Sequence, residues 1–304
     1  MQNYLSPEYL KKGDTIGIIS TARKISEEEI NIAIESIEQE GYKVVLGKYL
    51  FEEDHQFSGT VQQRVSDLHS MFLQEDVKAI LCARGGYGTV QLLPYLDSKI
   101  ISQNPKWLIG YSDVTVLHSF LHQQFKIQSL HATMPINFSS YQNTDLPMQS
   151  MFQALAGKNI SYKIPVQSPY DKQGKATGVL IGGNLSILYS LRGTFADIDT
   201  DGKILFIEDL DEYLYHIDRM MMNLKLGGKL EKLKALIVGG MSQMNDNTIP
   251  YGKTAKEIIQ TVTAEYNYPV VFDFPAGHIN DNYALPLGKI ATLDVTSNHI
   301  TLSF

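Results

Sequence analysis

The chain is 304 residues long, 43% hydrophobic and 19% charged, which suits two ordinary domains with a sizeable core and excludes a small module, a disordered chain and a fibrous one. Its 26 basic and 33 acidic side chains leave a net charge of −7, so nothing draws it over long range to phosphate backbones or anionic lipid, and neither nucleic acid nor membrane is an expected partner. Cys82 is the single cysteine, which excludes an intrachain disulfide and a cysteine-built metal centre and fits a reducing compartment.

From Asp14 to about Pro135 short apolar runs alternate with amphipathic segments. Thr15–Ile19, Lys43–Leu46, Val77–Ala83, Lys106–Ile109 and Ile127–His131 have the length and texture of buried strands. The first helix starts on a capping box, Ser26 with Glu29, continues through Ile30, Ala33, Ile34 and Ile37 at helical spacing and stops at Gly41. A second helix from about Thr60 carries Val65, Leu68, Met71 and Phe72 on one stripe. A third covers Val90–Leu96, and a fourth follows Asp113 through Val116, Leu117 and Phe120. Such β-α alternation predicts a doubly wound, mostly parallel sheet with helices on both faces, with ligands bound beyond the carboxyl ends of its strands.

After Pro135 the texture changes. Asn137–Leu146 and Gln167–Lys175 are rich in Ser, Gln, Asn, Asp, Gly and Pro, around a short helical piece near Met148–Ala156, and the interdomain connection is expected there. The division is therefore a first domain over 1–140, a connecting segment over 141–175 and a smaller C-terminal α/β domain over 176–304. In that last part Ala176–Ile181, Ile204–Ile207, Ala235–Val238 and Val270–Phe272 read as strands, with helices from Asn184, near Tyr213–Leu226 and near Thr254–Ala264. Ile290–Val295 and Ile300–Phe304 read as a closing β-hairpin.

The segment Lys106-Trp-Leu-Ile-Gly-Tyr-Ser-Asp-Val-Thr115 runs from a strand through Gly110-Tyr111-Ser112 straight into a helix. A nucleophile elbow has this form, with Ser112 as nucleophile and the backbone N–H of Asp113 facing a developing oxyanion. The second glycine of Gly-x-Ser-x-Gly is absent, Val114 standing there, and a plain helix cap by Ser112 or Asp113 is the competing reading. A serine hydroxyl needs a base. His278, in Gly277-His278-Ile279 after a buried strand, is the candidate; His131, at a strand end of the first domain, is its rival. His118 and His122 stand four apart on one helix, but Ser119 occupies the position where H-E-x-x-H has Glu, so no metal is expected. Glu208, at the end of Ile204–Ile207, is the candidate third member of a triad, against the plainer reading of an acidic loop.

Ala83-Arg84-Gly85-Gly86-Tyr87-Gly88 also follows a strand. Gln91 stands where G-x-G-x-x-G needs glycine, and Gly-Lys-Ser/Thr is missing, so neither a dinucleotide fingerprint nor a P-loop is present. No cofactor is expected. An N–H of Gly85 or Gly86 could supply a second oxyanion donor, and a tight turn explains the glycines equally well.

Taken together, Gly13-Asp14-Thr15-Ile16-Gly17-Ile18, Arg84-Gly85-Gly86-Tyr87-Gly88, Gly110-Tyr111-Ser112-Asp113, Gly182-Gly183-Asn184-Leu185, Ile207-Glu208-Asp209, Gly277-His278 and Leu285-Pro286-Leu287-Gly288 resemble, in order and spacing, the LD-carboxypeptidase family of serine peptidases. That resemblance implies a catalytic triad of Ser112, Glu208 and His278 and an oxyanion hole of Asp113 and Gly86. It further implies a cytoplasmic homodimer that removes terminal D-alanine from murein-derived tetrapeptides. Arg84, Gly85 and Asn184 are candidate substrate contacts. A microcin C-type amidase is the alternative within the family, and a domain that only binds a small peptide or nucleotide is the alternative outside it.

Overall fold

The computed structural model describes residues 4–138 and 145–304. In chain order the first half runs β1 (Thr15–Ile19), α1 (Glu27–Gln39), β2 (Lys43–Leu46), α2 (Val61–Leu73), β3 (Val77–Cys82), α3 (Ser98–Gln103), β4 (Trp107–Gly110), α4 (Thr115–Phe125) and β5 (Ser129–His131). Then come α5 (Leu146–Leu155), β6 (Ser161–Pro165), β7 (Gly174–Asn184), α6 (Leu185–Ser190), β8 (Ile204–Leu210), α7 (Leu214–Leu226), β9 (Ala235–Ser242) and α8 (Ala255–Thr263). The chain closes with β10 (Val270–Val271), β11 (Leu285–Leu287), β12 (Ile290–Val295) and β13 (His299–Ser303).

The first sheet has the order β11-β5-β4-β3-β1-β2, parallel from β2 to β5. Its strands send alternate residues to two cores. Ile16, Ile18, Ala79, Leu81 and Ile109 meet Ile30, Ala33 and Ile37 of α1 and Met148, Met151 and Phe152 of α5. Ile80, Cys82 and Leu108 meet Leu68, Met71 and Phe72 of α2 and Val116, Leu117 and Phe120 of α4 on the other face. The sheet is therefore doubly wound, as its pattern predicts. The capping box at Ser26 and Glu29 is present in both directions.

The second sheet has the order β10-β9-β8-β7-β12-β13-β6, parallel across β10, β9, β8 and β7 and antiparallel beyond. Helices α6, α7 and α8 cover one face. Leu285 and Leu287 of β11 and Phe274 and Ala276 of the preceding loop lie against the other.

Several elements differ from the sequence reading. The segment near Val90 is a 3-10 helix, Thr89–Tyr95, and Pro94 inside it has no N–H to donate, so the segment does not extend as a regular helix. Helix α4 carries no solvent face over its first two turns: Thr115 through His122 are all buried, since Leu191 and Ala196 of the second half close over it. The C-terminal part holds the larger number of strands, and the division at 140 and 176 does not follow the sheets. Residues 139–144 of the expected connection lie outside the described residues, α5 packs in the first core, and β6 joins the second sheet. Strand β11 returns to the first sheet, antiparallel to β5 with Leu285 opposite His131.

Candidate active site

Strand β4 ends at Gly110, whose φ of 153° opens a turn, and Ser112 follows with φ 63°, a conformation that a side chain with Cβ adopts only under local strain. A 3-10 turn over Ser112–Val114 leads into α4. The turn is braced from behind: His118 Nε2 donates to the Gly110 carbonyl at 2.9 Å, while its Nδ1 meets Ser129 Oγ at 2.8 Å. His122 Nε2 reaches the same hydroxyl at 3.1 Å. The two histidines thus serve the elbow; burial lowers the His118 pKa to about 4 and that of His122 well below its ordinary value.

The glycine loop after β3 lies against this turn. A Cβ on Gly85 would stand 2.9 Å from Ser112 Oγ and 3.5 Å from the Asp113 nitrogen, so only glycine fits. Gly86 takes φ 116° with the Arg23 side chain beside it. Asp113 is buried and its carboxylate accepts the Thr89 N–H at 2.8 Å. Burial raises its pKa, against the opposing pull of the Thr89 hydrogen bonds and the Arg64 charge. Arg84 turns toward α1, donating to the Lys24 carbonyl at 3.1 Å with Glu29 at 3.8 Å.

Glu208 and His278 meet. Nδ1 of the imidazole donates to Glu208 Oε2 at 2.6 Å, and the His278 backbone N–H donates to the same oxygen at 3.1 Å. Glu208 is fully buried inside β8, two residues before the strand ends at Leu210. Gly277, with φ 103°, lets the loop lie on it, since a Cβ there would stand 2.6 Å from Oε2. Burial alone would lower the His278 pKa; the charge and hydrogen bond of Glu208, with the charge of Asp209, override it and leave the pKa raised. With Nδ1–H committed to the carboxylate, Nε2 is the basic nitrogen. The ring of Tyr111, the residue before Ser112, lies 4.8 Å from the His278 ring centre and is tethered by its hydroxyl to Asn137 at 2.9 Å. Among the described residues no hydrogen bond joins Ser112 Oγ to the imidazole.

His131, the rival base, is buried between Tyr111 and Phe206. Its Nε2 pairs with Asn282 at 3.2 Å, and burial drives its pKa to about 3. It is a core residue. Asn184, expected against substrate, is 4% exposed: its side-chain carbonyl caps α6 at Ile187 and accepts from Ser186, and its amide donates to Asp209 at 2.9 Å. Its side chain is thus engaged within the protein. Its backbone N–H reaches Thr115 Oγ1 at 3.0 Å, joining the tip of β7 to the start of α4.

Two residues of this joint escaped the sequence reading. Thr115 sits where a Cβ of Gly183 would come within 2.5 Å, which explains glycine at 183. Asp209 carries the other half, accepting from Asn184, Ser186 and Leu210; burial and the neighbouring Glu208 charge raise its pKa to about 7. The strand signal was present, because Asp209 must face opposite to Glu208. A polar cavity of about 270 Å³ opens beside this centre, with Tyr111, Thr133, Asn137, Asn280 and Asn282 on its wall.

Comparison with known proteins decides the family. The model of the LD-carboxypeptidase N-terminal domain matches residues 16–132, and that of the LD-carboxypeptidase C-terminal domain matches residues 177–293. The chain belongs to the LD-carboxypeptidase family. It is a serine peptidase, and so an enzyme and not a domain that only binds. This LD-carboxypeptidase is 35% identical to a protein of Bacillus subtilis (strain 168) named "Probable murein peptide carboxypeptidase", over 96% of this chain and 92% of the other. It is 30% identical to the murein tetrapeptide carboxypeptidase of Pseudomonas aeruginosa, over 92% of each chain. The crystal structure of muramoyltetrapeptide carboxypeptidase from Oxalobacter formigenes superposes with a TM-score of 0.86 at 27% identity, covering 95% of this chain and 98% of that one. The sequence expectation of two joined α/β parts agrees with that likeness. Among the described residues no helix is long and apolar enough to cross a membrane.

Proposed function

We propose that this LD-carboxypeptidase removes the terminal D-alanine of murein tetrapeptides with a triad of Ser112, His278 and Glu208, acting in the cytoplasm as a homodimer in cell-wall recycling. The observation that carries the reading is the 2.6 Å bond from His278 Nδ1 to a fully buried carboxylate, made on a loop whose histidine ring touches the residue before Ser112. The names of the relatives support the murein substrate.

In the proposed reaction His278 Nε2 takes the hydroxyl proton as Ser112 Oγ attacks the carbonyl of the diamino-acid residue. The tetrahedral oxyanion is received by the N–H groups of Asp113 and Gly86. Collapse breaks the amide bond, and the imidazolium returns the proton to the departing amine of D-alanine. Water, deprotonated by the same imidazole, then releases the acyl group from Ser112. Glu208 stays ionised throughout and holds the ring in its working tautomer. Closing the gap between Ser112 Oγ and Nε2 is a change that substrate binding supplies, since catalytic hydrogen bonds in empty sites are often long.

Incubation with a purified set of muropeptides, read by mass spectrometry, tests the substrate: tetrapeptides should become tripeptides by loss of one alanine. Conversion of a microcin-type aminoacyl nucleotide with tetrapeptides left intact would instead support the amidase reading. Ser112→Ala should bind tetrapeptide yet turn over only at the residual rate of the remaining groups; wild-type turnover in that variant sinks the nucleophile assignment. EDTA should have no effect, whereas inactivation would mean a metal mechanism.

A further inference from the structure

Arg64 is a buried cation on α2, 2% exposed. Its Nη1 donates to the carbonyl of Thr21 at 2.8 Å and to that of Gly88 at 3.0 Å, and its Nη2 donates to Gln91 Oε1 at 2.9 Å. The guanidinium carbon stands 4.9 Å from the centre of the Phe57 ring. Burial works against the charge of Arg64, and the carboxylates of Asp113 and Asp54 support it. Thr21 follows β1, Gly88 follows β3 and Asp113 follows β4, strands that lie side by side in the order β4-β3-β1. One guanidinium therefore ties together the neighbouring loops after β1 and β3, and its charge faces Asp113 in the third loop beside Ser112.

The loop after β3 needs such a tie. Gly86 and Gly88 hold φ values of 116° and 136°, and glycine visits many other conformations at little cost, so local sequence does not select this one. The guanidinium also fills the space beside Gly88, where a Cβ would stand 2.7 Å from Nη1. Asp113 completes the circuit by accepting the Thr89 N–H at 2.8 Å.

We infer that Arg64 is a positioning residue for the oxyanion-binding backbone: it holds the Gly85–Gly88 loop against the Ser112–Asp113 turn at the spacing that a tetrahedral intermediate requires. The inference rests on the reading of Ser112 as the nucleophile. The planar fork is essential, because it serves three acceptors at once; a lysine would keep the charge facing Asp113 but lose that geometry.

Arg64→Lys and Gln91→Met test this in the full-length enzyme. The measurements are kcat and KM on a tetrapeptide, the affinity of a peptide boronic acid that forms a tetrahedral adduct on serine, tetrapeptide binding in a Ser112→Ala background, and the melting temperature. Arg64→Lys should lower kcat by about 10–100-fold, less than the roughly 10²–10³-fold loss of a whole oxyanion donor. Boronate affinity should fall in parallel, while tetrapeptide binding changes by less than about threefold, the pattern of an interaction made only in the transition state. Gln91→Met, which removes one bond of the three, should show the same pattern more weakly, and it alone decides if Arg64→Lys fails to fold. The idea is overturned if a folded Arg64→Lys keeps parental kcat, or if tetrapeptide binding falls as much as kcat does. The two readings fail separately. Wild-type turnover by Ser112→Ala removes the nucleophile, whereas an inactive Ser112→Ala beside an unimpaired Arg64→Lys removes only the role of Arg64.

Discussion

Glu208 and His278 lie 70 positions apart and share a hydrogen bond of 2.6 Å, so the chemistry of each is set by the other. The carboxylate keeps the imidazole pKa above its ordinary value despite burial, and the proposed mechanism needs the ring neutral. Activity should therefore rise with pH through that raised pKa. Glu208→Gln removes the charge, so the acidic limb of the kcat/KM profile should move to lower pH while the maximum falls by roughly 10³–10⁴-fold. A pH–rate profile measures both, and an unmoved acidic limb would detach Glu208 from the base. The sequence offered eight histidines, and local pattern alone left His278 and His131 as rivals. Burial separated them: His131 is enclosed in the core, and its pKa of about 3 removes it as a base at neutral pH.

At the scale of elements, the joint between the tip of β7 and the start of α4 carries the geometry. Gly183, with φ 142°, leaves room for Thr115, and Asn184 N–H bonds the threonine hydroxyl. Gly183→Ala should destabilise the protein by roughly 1–3 kcal/mol through overpacking and strain and should lower kcat, because Ser112 lies in the turn that leads into α4 and Glu208 lies on β8 opposite Asn184 of β7, so pushing β7 and α4 apart moves the two sides of the site. Gly193→Ala is the control. It also has a positive φ, of 76°, but nothing lies within 4 Å of its Cβ position, so it pays only the roughly 1–2 kcal/mol of backbone strain and should leave kcat unchanged. Denaturant midpoints and turnover compare the pair, and an equal loss of turnover in both would show that the joint plays no part. The elements themselves were mostly legible. Capping residues, glycine stops and apolar runs located α1, α2, α7 and β1 to within a residue or two. Strand β6 was not found, because its exposed and half-buried residues simply alternate at a sheet edge, without the apolar run that marks a central strand.

For the whole molecule, enclosing α4 between the two sheets has a consequence for acid stability. His118, His122 and His131 are buried with lowered pKa values, about 4 for His118 and about 3 for His131, so between pH 6.5 and about 4 the unfolded chain binds protons that the native state refuses. Stability should then fall with decreasing pH, by roughly 1.4 kcal/mol per pH unit for each histidine. His278, with its raised pKa, acts with the opposite sign: its contribution is present at low pH and is lost as pH rises through that value. Asp209, raised to about 7, acts in the same sense as His278. The three imidazoles outweigh these two, so the urea midpoint should be lower at pH 5 than at pH 7, and a constant midpoint would mean that the three imidazoles are accessible to protons in the native state. By itself the sequence determined the strand and helix runs, the doubly wound first sheet, the strained turn at Ser112 and the residues from which the site is built. All of these depend on side-chain period and turn chemistry within a few positions. Only the tertiary structure decided that Glu208 receives His278 and not His131, that Leu285–Leu287 crosses back to the first sheet, that the first two turns of α4 are enclosed on every side and that Arg64 underlies the glycine loop. Those outcomes depend on which distant strands become neighbours, and the periodicity of a strand carries no record of its partner.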